Sequence, residues 1–344
     1  MNSSTQRPKI IVLCPVRNEE WILRRFLSVT SVFADHIIVA DQRSTDGSRE
    51  ICKEFPKVIL VDNPHEFSNV KRQRLLIEEA RKIPGPRLLL ALDADEILSA
   101  NVLVSTEWQT MLSSLIGTVI AAPRIDLWKT PLYYRPLSTV TPSNWMPFGF
   151  MDDGSEHSGP LIHSPRIPQP IDRVVFRFNE VVILHYQCTD FQRALSKNRW
   201  YLCFERINDP DRNPTELHRM FRQYISEPPP YPPQPCPSKW FDGWIARGID
   251  MTSIRHEPYY WWDWEVLRMF EKYGERMFRH EDVWYVDWEA IRQAGLEMGI
   301  PDLPQRPIKD PRTKLERYLT VLCRRTQNTK WQRLADRVLH LMGR

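Results

Sequence analysis

The densest chemistry in the sequence lies at Asp93-Ala94-Asp95-Glu96, three carboxylates in four positions directly after the apolar run Leu88 to Leu92. Five apolar residues are too few for a helix and suit a buried strand that ends in the acids. Carboxylates this close repel one another unless a cation stands between them, and a divalent metal is the simplest such cation. The plainer alternative is a solvated loop with ordinary surface aspartates.

The elements that must position these acids are legible upstream. Ile10 to Leu13 reads as a strand ending at Cys14-Pro15, and Asn18-Glu19-Glu20 opens a helix with Ile22, Phe26, Val29 and Phe33 on one face. His36 to Ala40 is a second strand with Asp41 at its C-terminal end. Ser44-Thr45-Asp46-Gly47 is a turn into a short helix, and Val58 to Val61 is a third strand. A helix from Ser68 to Ile83 carries Lys71, Arg72 and Arg74 near its start and stops at Pro84-Gly85-Pro86. The alternation β-α-β-α-β-α-β builds a parallel sheet with right-handed crossovers, whose ligands bind at the strands' carboxyl ends. Asp41, Asp93 and Asp95 all fall there.

Further on, Thr118 to Ala122 is a fifth strand, and Tyr133 to Pro147 is a Pro-interrupted aromatic loop of the kind that faces a substrate. Asp152 and Asp153, before Gly154, read either as turn residues or as a general base. Arg173 to Phe178 and Val181 to Leu184 are β-rich, and a lone histidine such as His185 at a strand end is first of all a packing residue. Ser226 to Ser238 holds seven prolines in thirteen residues, an extended linker. It sets domains at 1–225 (in two parts, 1–125 and 126–225) and at 239–344. In the last of these, Tyr259 to Trp264, Trp284, Tyr285 and Trp288 read as core, although aromatic faces beside carboxylates also stack on sugars.

Composition is globular, 42% hydrophobic and 26% charged, and none of the six cysteines forms a Cys-x-x-Cys pair, which points away from a zinc site or a disulfide framework. Residues 1–9 lack a signal-peptide core and no run reaches membrane-span length, so a cytoplasmic location is expected. Between Arg306 and Arg344, 11 Lys and Arg stand against 3 Asp and Glu, a net of +8 that leaves −4 for the rest of a chain whose total is +4. Leu315, Leu319 and Leu322, then Leu334, Val338 and Met342, recur there at helical spacing. Such a tail is a solvated helical face or a peripheral contact with an anionic membrane; a nucleic-acid partner is not expected. No Gly-x-Gly-x-x-Gly follows a strand, which disfavours a dinucleotide dehydrogenase. Cys14 to Asn18 contains no glycine, which disfavours the phosphate loop of nucleotidyltransferases. The Asp-x-Asp pair follows the fourth strand rather than the first, unlike that of haloacid-dehalogenase-type phosphatases.

Taken together, Cys14-Pro15-Val16-Arg17-Asn18-Glu19-Glu20, Ile38-Val39-Ala40-Asp41 with Ser44-Thr45-Asp46-Gly47-Ser48, and Leu92-Asp93-Ala94-Asp95-Glu96 resemble the signature of family 2 glycosyltransferases. The resemblance covers about the first third of the chain. It implies an α/β, GT-A-like layered sheet with a Rossmann-like nucleotide-binding half, here followed by a mainly helical C-terminal extension. It also implies an inverting enzyme that moves a sugar from a nucleoside diphosphate sugar, with UDP favoured, to a glycan or lipid-linked acceptor. By the same resemblance Pro15, Arg17, Glu19 and Asp41 hold nucleobase and ribose, Arg72 and Gln73 face the donor, and Asp93 and Asp95 hold ribose, diphosphate and Mn²⁺ or Mg²⁺. Ile183-Leu184-His185-Tyr186 with Leu195 to Tyr201 resembles lipopolysaccharide-core-type members, which implies that His185 joins the metal and that the product is a cell-envelope glycan. Gln42-Arg43 departs from the family, where a small or acidic residue and glycine are usual. A non-catalytic carbohydrate- or nucleotide-binding protein on the same fold is the alternative.

Overall fold

The computed structural model describes residues 7–136, 144–161, 164–169, 173–227 and 229–344. Part of the expected aromatic loop, 137–143, and Pro228 of the linker lie outside them. The chain forms two compact units, one of residues up to Thr189 with Pro233–Arg255, the other of Asp190–Pro232 with His256–Arg344. The boundaries expected at 225 and 239 give way to this interleaving: residues 233–255 return to the first unit because they carry apolar anchors such as Trp240, Phe241 and Trp244 into its core.

In the first unit the elements run β1 (Lys9–Val16), α1 (Glu20–Phe33), β2 (His36–Asp41), α2 (Ser48–Lys53), β3 (Val58–Asp62), α3 (Asn69–Arg81), β4 (Arg87–Ala91), β5 (Glu96–Leu98), α4 (Thr106–Leu112), β6 (Val119–Asp126), β7 (Tyr133–Tyr134), β8 (Asn144–Met151), β9 (Val175–Arg177) and β10 (Ile183–His185). Among the described residues nine strands share one sheet in the order β3-β2-β1-β4-β8-β6-β10-β5, with β9 beside β6. β1 to β4 are mutually parallel, and β8 runs antiparallel between β4 and β6.

Alternation along β1 explains the layers. Ile10, Val12 and Cys14 face α1 and share a core with Ile22, Phe26 and Val29, whereas Ile11 and Leu13 face α3 and pack on Leu76, Ile77 and Ala80. With both faces covered, every one of these strand residues is apolar and buried. The second unit is helical: α5 (Phe191–Asn208), α6 (Pro214–Arg222), α8 (Trp261–Tyr273), α9 (Trp288–Glu297), α10 (Lys314–Thr326) and α11 (Gln332–Leu341), while β11 (Gln234–Pro235) and α7 (Asp242–Ile245) belong to the first unit. The aromatic stretch is core, as expected. Trp262, Trp264, Trp284 and Trp288 are buried, and Phe270 stacks on Trp284 at 4.9 Å. Arg199, within the stretch that resembles lipopolysaccharide-core enzymes, is spent on a buried 2.6 Å pair with Asp263.

β8 can cross the sheet only because position 149 is glycine. It pairs with Leu90 on one side and Ile120 on the other, beside a bulge, and a Cβ there would stand 2.5 Å from Leu90 Cδ2 and 2.9 Å from the Leu89 carbonyl oxygen. Gly149→Ala is expected to cost about 1–3 kcal/mol of stability by overpacking, read as a lower urea midpoint at unchanged slope.

Candidate nucleotide and metal site

The loops after β1 and β2 are laced together at the carboxyl ends of their strands. Asn18 adopts φ +55°, a left-handed conformation that asparagine tolerates. There its N–H donates to Ser44 Oγ (2.9 Å) and its Oδ1 accepts from the Thr45 N–H (2.7 Å). The Glu19 N–H donates to Ser48 Oγ and the Glu20 N–H to Asp46 Oδ2. Asp41 sits inside this lacing. Its Oδ2 receives Arg49 at 2.7 Å, and its buried Oδ1 has no hydrogen-bond partner. Gln42 and Arg43 are turned away from the Asp41 carboxylate, Gln42 Nε2 donating to the His65 carbonyl and Arg43 Nη2 to that of Pro64. Pro15 and Arg17 flank the same strand end, and Trp21 Nε1 donates to Glu19 Oε2 at 2.7 Å.

The acids after β4 are not bare. Arg166 donates to Asp93 Oδ2 at 2.7 Å and pairs through both its terminal nitrogens with the fully buried Glu96. Burial alone would lower its pKa, but Asp93 and Glu96 outweigh that and hold the guanidinium firmly charged. Arg124 approaches Glu96 at 3.8 Å and Arg72 approaches Asp93 at 3.9 Å. Asp93 and Glu96 are thus each paired with arginine. Gln73, beside Arg72 on α3, is buried with its Oε1 unpartnered.

Asp95 differs. β5 pairs with β10 so that Glu96 lies opposite His185, and the turn before β5 brings Asp95 Oδ2 to 3.8 Å from His185 Nε2. The other ring nitrogen, Nδ1, is 2.7 Å from Asp126 Oδ1, at the end of β6. Burial would raise the Asp126 pKa, but His185, Arg124 and Arg135 hold it well below the usual carboxylate range. Asp126 at Nδ1 and Asp95 on the Nε2 side flank the ring in a carboxylate–histidine–carboxylate series, an arrangement that recurs around metal-binding histidines. An oxygen and a nitrogen 3.8 Å apart can both touch one small cation. No group of three or more His, Cys, Asp or Glu poised for a metal occurs among the described residues.

Asp152 and Asp153 are not brought to this site. β8 runs antiparallel to β4, so its end returns to the start of β4, where the Asp152 N–H donates to the Arg87 carbonyl. Six residues separate Arg87 from Asp93, roughly 20 Å along a strand. Asp152 is instead clamped by Arg81 and Arg87 at 2.9 Å each, and Asp153 pairs with Arg173. The strand's direction thus sets the two candidates for the general base at the opposite end of the sheet from Asp93 and Asp95, paired with arginines.

The family model for Glycosyl transferase family 2 matches residues 11–157, which span β1 to β8 and the acid cluster. These residues are a family 2 glycosyltransferase domain. Among curated proteins none matches the chain. Solved structures similar to part of it include glucosyl-3-phosphoglycerate synthase of Mycobacterium tuberculosis with Mn²⁺, UDP and glucosyl-3-phosphoglycerate (19% identity, 34% of this chain and 44% of that one, TM-score 0.27). Others are S. aureus TarS (12%, 63% and 42%, TM-score 0.33) and 4-diphosphocytidyl-2C-methyl-D-erythritol synthase (16%, 42% and 75%, TM-score 0.29). Likenesses this slight carry no argument, and the first spans less than half of the synthase. The glycosyltransferase reading rests on the family match and on the side chains above. Arg166 and His185 lie beyond the matched segment.

The clamp on Asp152 sets a pH dependence. Burial raises its pKa, but hydrogen bonds from Arg81 and Arg87 bring it below the usual value. A depressed carboxylate contributes stability in full above its unfolded pKa of about 3.9 and loses it as pH falls through the lowered value. Asp152→Asn is therefore expected to cost about 2 kcal/mol at neutral pH and progressively less in acid. Asp153→Asn is expected to leave sugar transfer unchanged; a loss of kcat in a stably folded variant would restore it as a base.

Proposed function

We propose that the protein is a metal-dependent, inverting glycosyltransferase that moves a sugar from a nucleoside diphosphate sugar, with UDP favoured, to an acceptor hydroxyl of a cell-envelope glycan or lipid-linked glycan. The observation that carries this reading is the Asp126–His185–Asp95 series beside Asp93, at the strand ends where the glycosyltransferase domain gathers Asp41.

The residues divide the work as follows. Asp41 Oδ1, buried and without a partner, is an acceptor for an N–H on the base edge, which uracil supplies at N3. Pro15, Arg17 and Glu19 border the base and ribose, Asp93 accepts from ribose hydroxyls, and Arg72 and Gln73 face the diphosphate side. Asp95 Oδ2 and His185 Nε2 hold Mn²⁺ or Mg²⁺. That ion, when bound, neutralises the charge that builds on the departing diphosphate. Arg166 stands close enough to share this electrostatic task. A single displacement also requires the acceptor's proton to leave on the face away from the diphosphate, so the proton acceptor belongs at the carboxyl ends of the strands.

Calorimetric titration of UDP, GDP and dTDP with and without Mn²⁺ tests the donor site. UDP binding is expected to require the metal, to lose that dependence in Asp95→Asn, and in Asp126→Asn to need about 10- to 100-fold more metal. Binding indifferent to metal for all three nucleotides would overturn the reading. Release of nucleoside diphosphate in the presence of acceptor separates an enzyme from a binding protein on the same fold.

A further inference from the structure

The second unit ends in a surface that sugar transfer does not explain. α10 and α11 pack together around Leu319, Cys323 and Leu339, which uses one face of each helix. Beside that buried face α11 carries a second, exposed apolar flank. Trp331, Leu334, Val338, Leu341 and Met342 recur at three- and four-residue spacing on one side and are 58%, 56%, 41%, 85% and 48% exposed. α10 adds Leu315, Tyr318 and Val321, at 52%, 64% and 42%. A helix that only completed a core would place polar residues at such positions.

The charge along α10 and α11 is predominantly positive. From Lys314 to Arg344 there are eight Lys and Arg against Glu316 and Asp336. Lys330 lies 5.3 Å from the exposed Trp331 ring, a cation beside an amphipathic aromatic. Beside the apolar flank, Arg333 and Arg337 border a cleft of about 870 Å³ shared with α6, which Leu341 of the flank, the acids Glu216 and Asp336, and the buried Arg344 also line. Arg344 Nη1 has no hydrogen-bond partner there. An unpartnered buried guanidinium and two exposed arginines in a cleft suit a phosphate oxygen.

We propose that α10 and α11 form an interfacial docking element for an anionic lipid bilayer. The Trp331-Leu334-Val338-Leu341-Met342 flank enters the boundary between headgroups and acyl chains, while Lys330, Arg333 and Arg337 meet lipid phosphates. A second copy is a poor occupant, because two faces carrying the same net positive charge repel. This inference is independent of the donor site, and its test uses no nucleotide.

Vesicle flotation with the full chain tests it, using phosphatidylcholine alone and phosphatidylcholine mixed with phosphatidylglycerol. Binding is expected only to the mixed vesicles and is expected to weaken with salt. Leu334→Ser with Leu341→Ser should reduce partitioning about tenfold or more, as should Arg333→Glu with Arg337→Glu. All four positions are exposed, so the thermal midpoint should stay within a degree or two of the parent. Binding that survives the serine pair but not the glutamate pair would mean simple electrostatic adsorption and would overturn the inserted flank. Failure to bind mixed vesicles, or a concentration-dependent dimer that the serine pair disperses, would overturn the proposal.

Discussion

The site depends on how the charge at the end of β4 is compensated. Asp93, Asp95 and Glu96 leave the strand within four residues, and Glu96 is fully buried. At 4 Å two like charges in a protein cost about 4 kcal/mol, so an uncompensated cluster would oppose folding of the strand that delivers it. Arg166 removes that cost by bridging Asp93 and Glu96, and Arg72 and Arg124 add distant support. The segment carrying Arg166 is itself held: Ile167 is buried against the α3 side of the sheet, His157 Nε2 meets the Pro165 carbonyl at 2.6 Å, and Arg74 Nε donates to the His157 carbonyl. Rigid support behind a charged group is what makes it useful in catalysis, since no reorganisation is then needed when charge develops.

Compensation by arginine also sharpens the metal question. If all three acids needed a metal, the cluster would be metal-dependent for folding. With Asp93 and Glu96 already paired, Asp95 with His185 is the pair left for an ion under the proposed function, and Asp126 adjoins the histidine's other ring nitrogen. A cation held by two protein groups keeps most of its coordination open, which suits a diphosphate that must bind and then depart.

How much of this was legible in the sequence follows from whether the signal was local. The β-α alternation up to Glu96 was readable because each element buries apolar residues at its own period, and Asp41, Asp93 and Asp95 fell at strand ends by counting alone. Asp126 obeys the same rule and was missed because its strand was expected to stop at Ala122, four residues short of Asp126. Arg166 and the Asn18 brace join residues far apart in sequence, and no periodicity marks such contacts. The end of the sheet at which Asp152 and Asp153 lie was not legible, for a topological reason. A paired acid at a strand end looks the same in sequence whether the strand runs with the sheet or against it, and β8 runs against it.

The reversal of β8 has a further consequence for the division of labour along the sheet. Its antiparallel course puts Asp152 and Asp153 among the arginines at the amino ends of the parallel strands, where they stabilise the frame. The carboxyl ends of β1, β2, β4, β6 and β10 are left to gather the chemistry, with Asp126 and His185 adjoining the acids after β4. The two ends therefore carry similar residue types under opposite constraints. At one end Asp152 and Asp153 are paired with arginines. At the other, Asp41 keeps a buried oxygen without a hydrogen-bond partner, polar capacity that folding does not use and a ligand can.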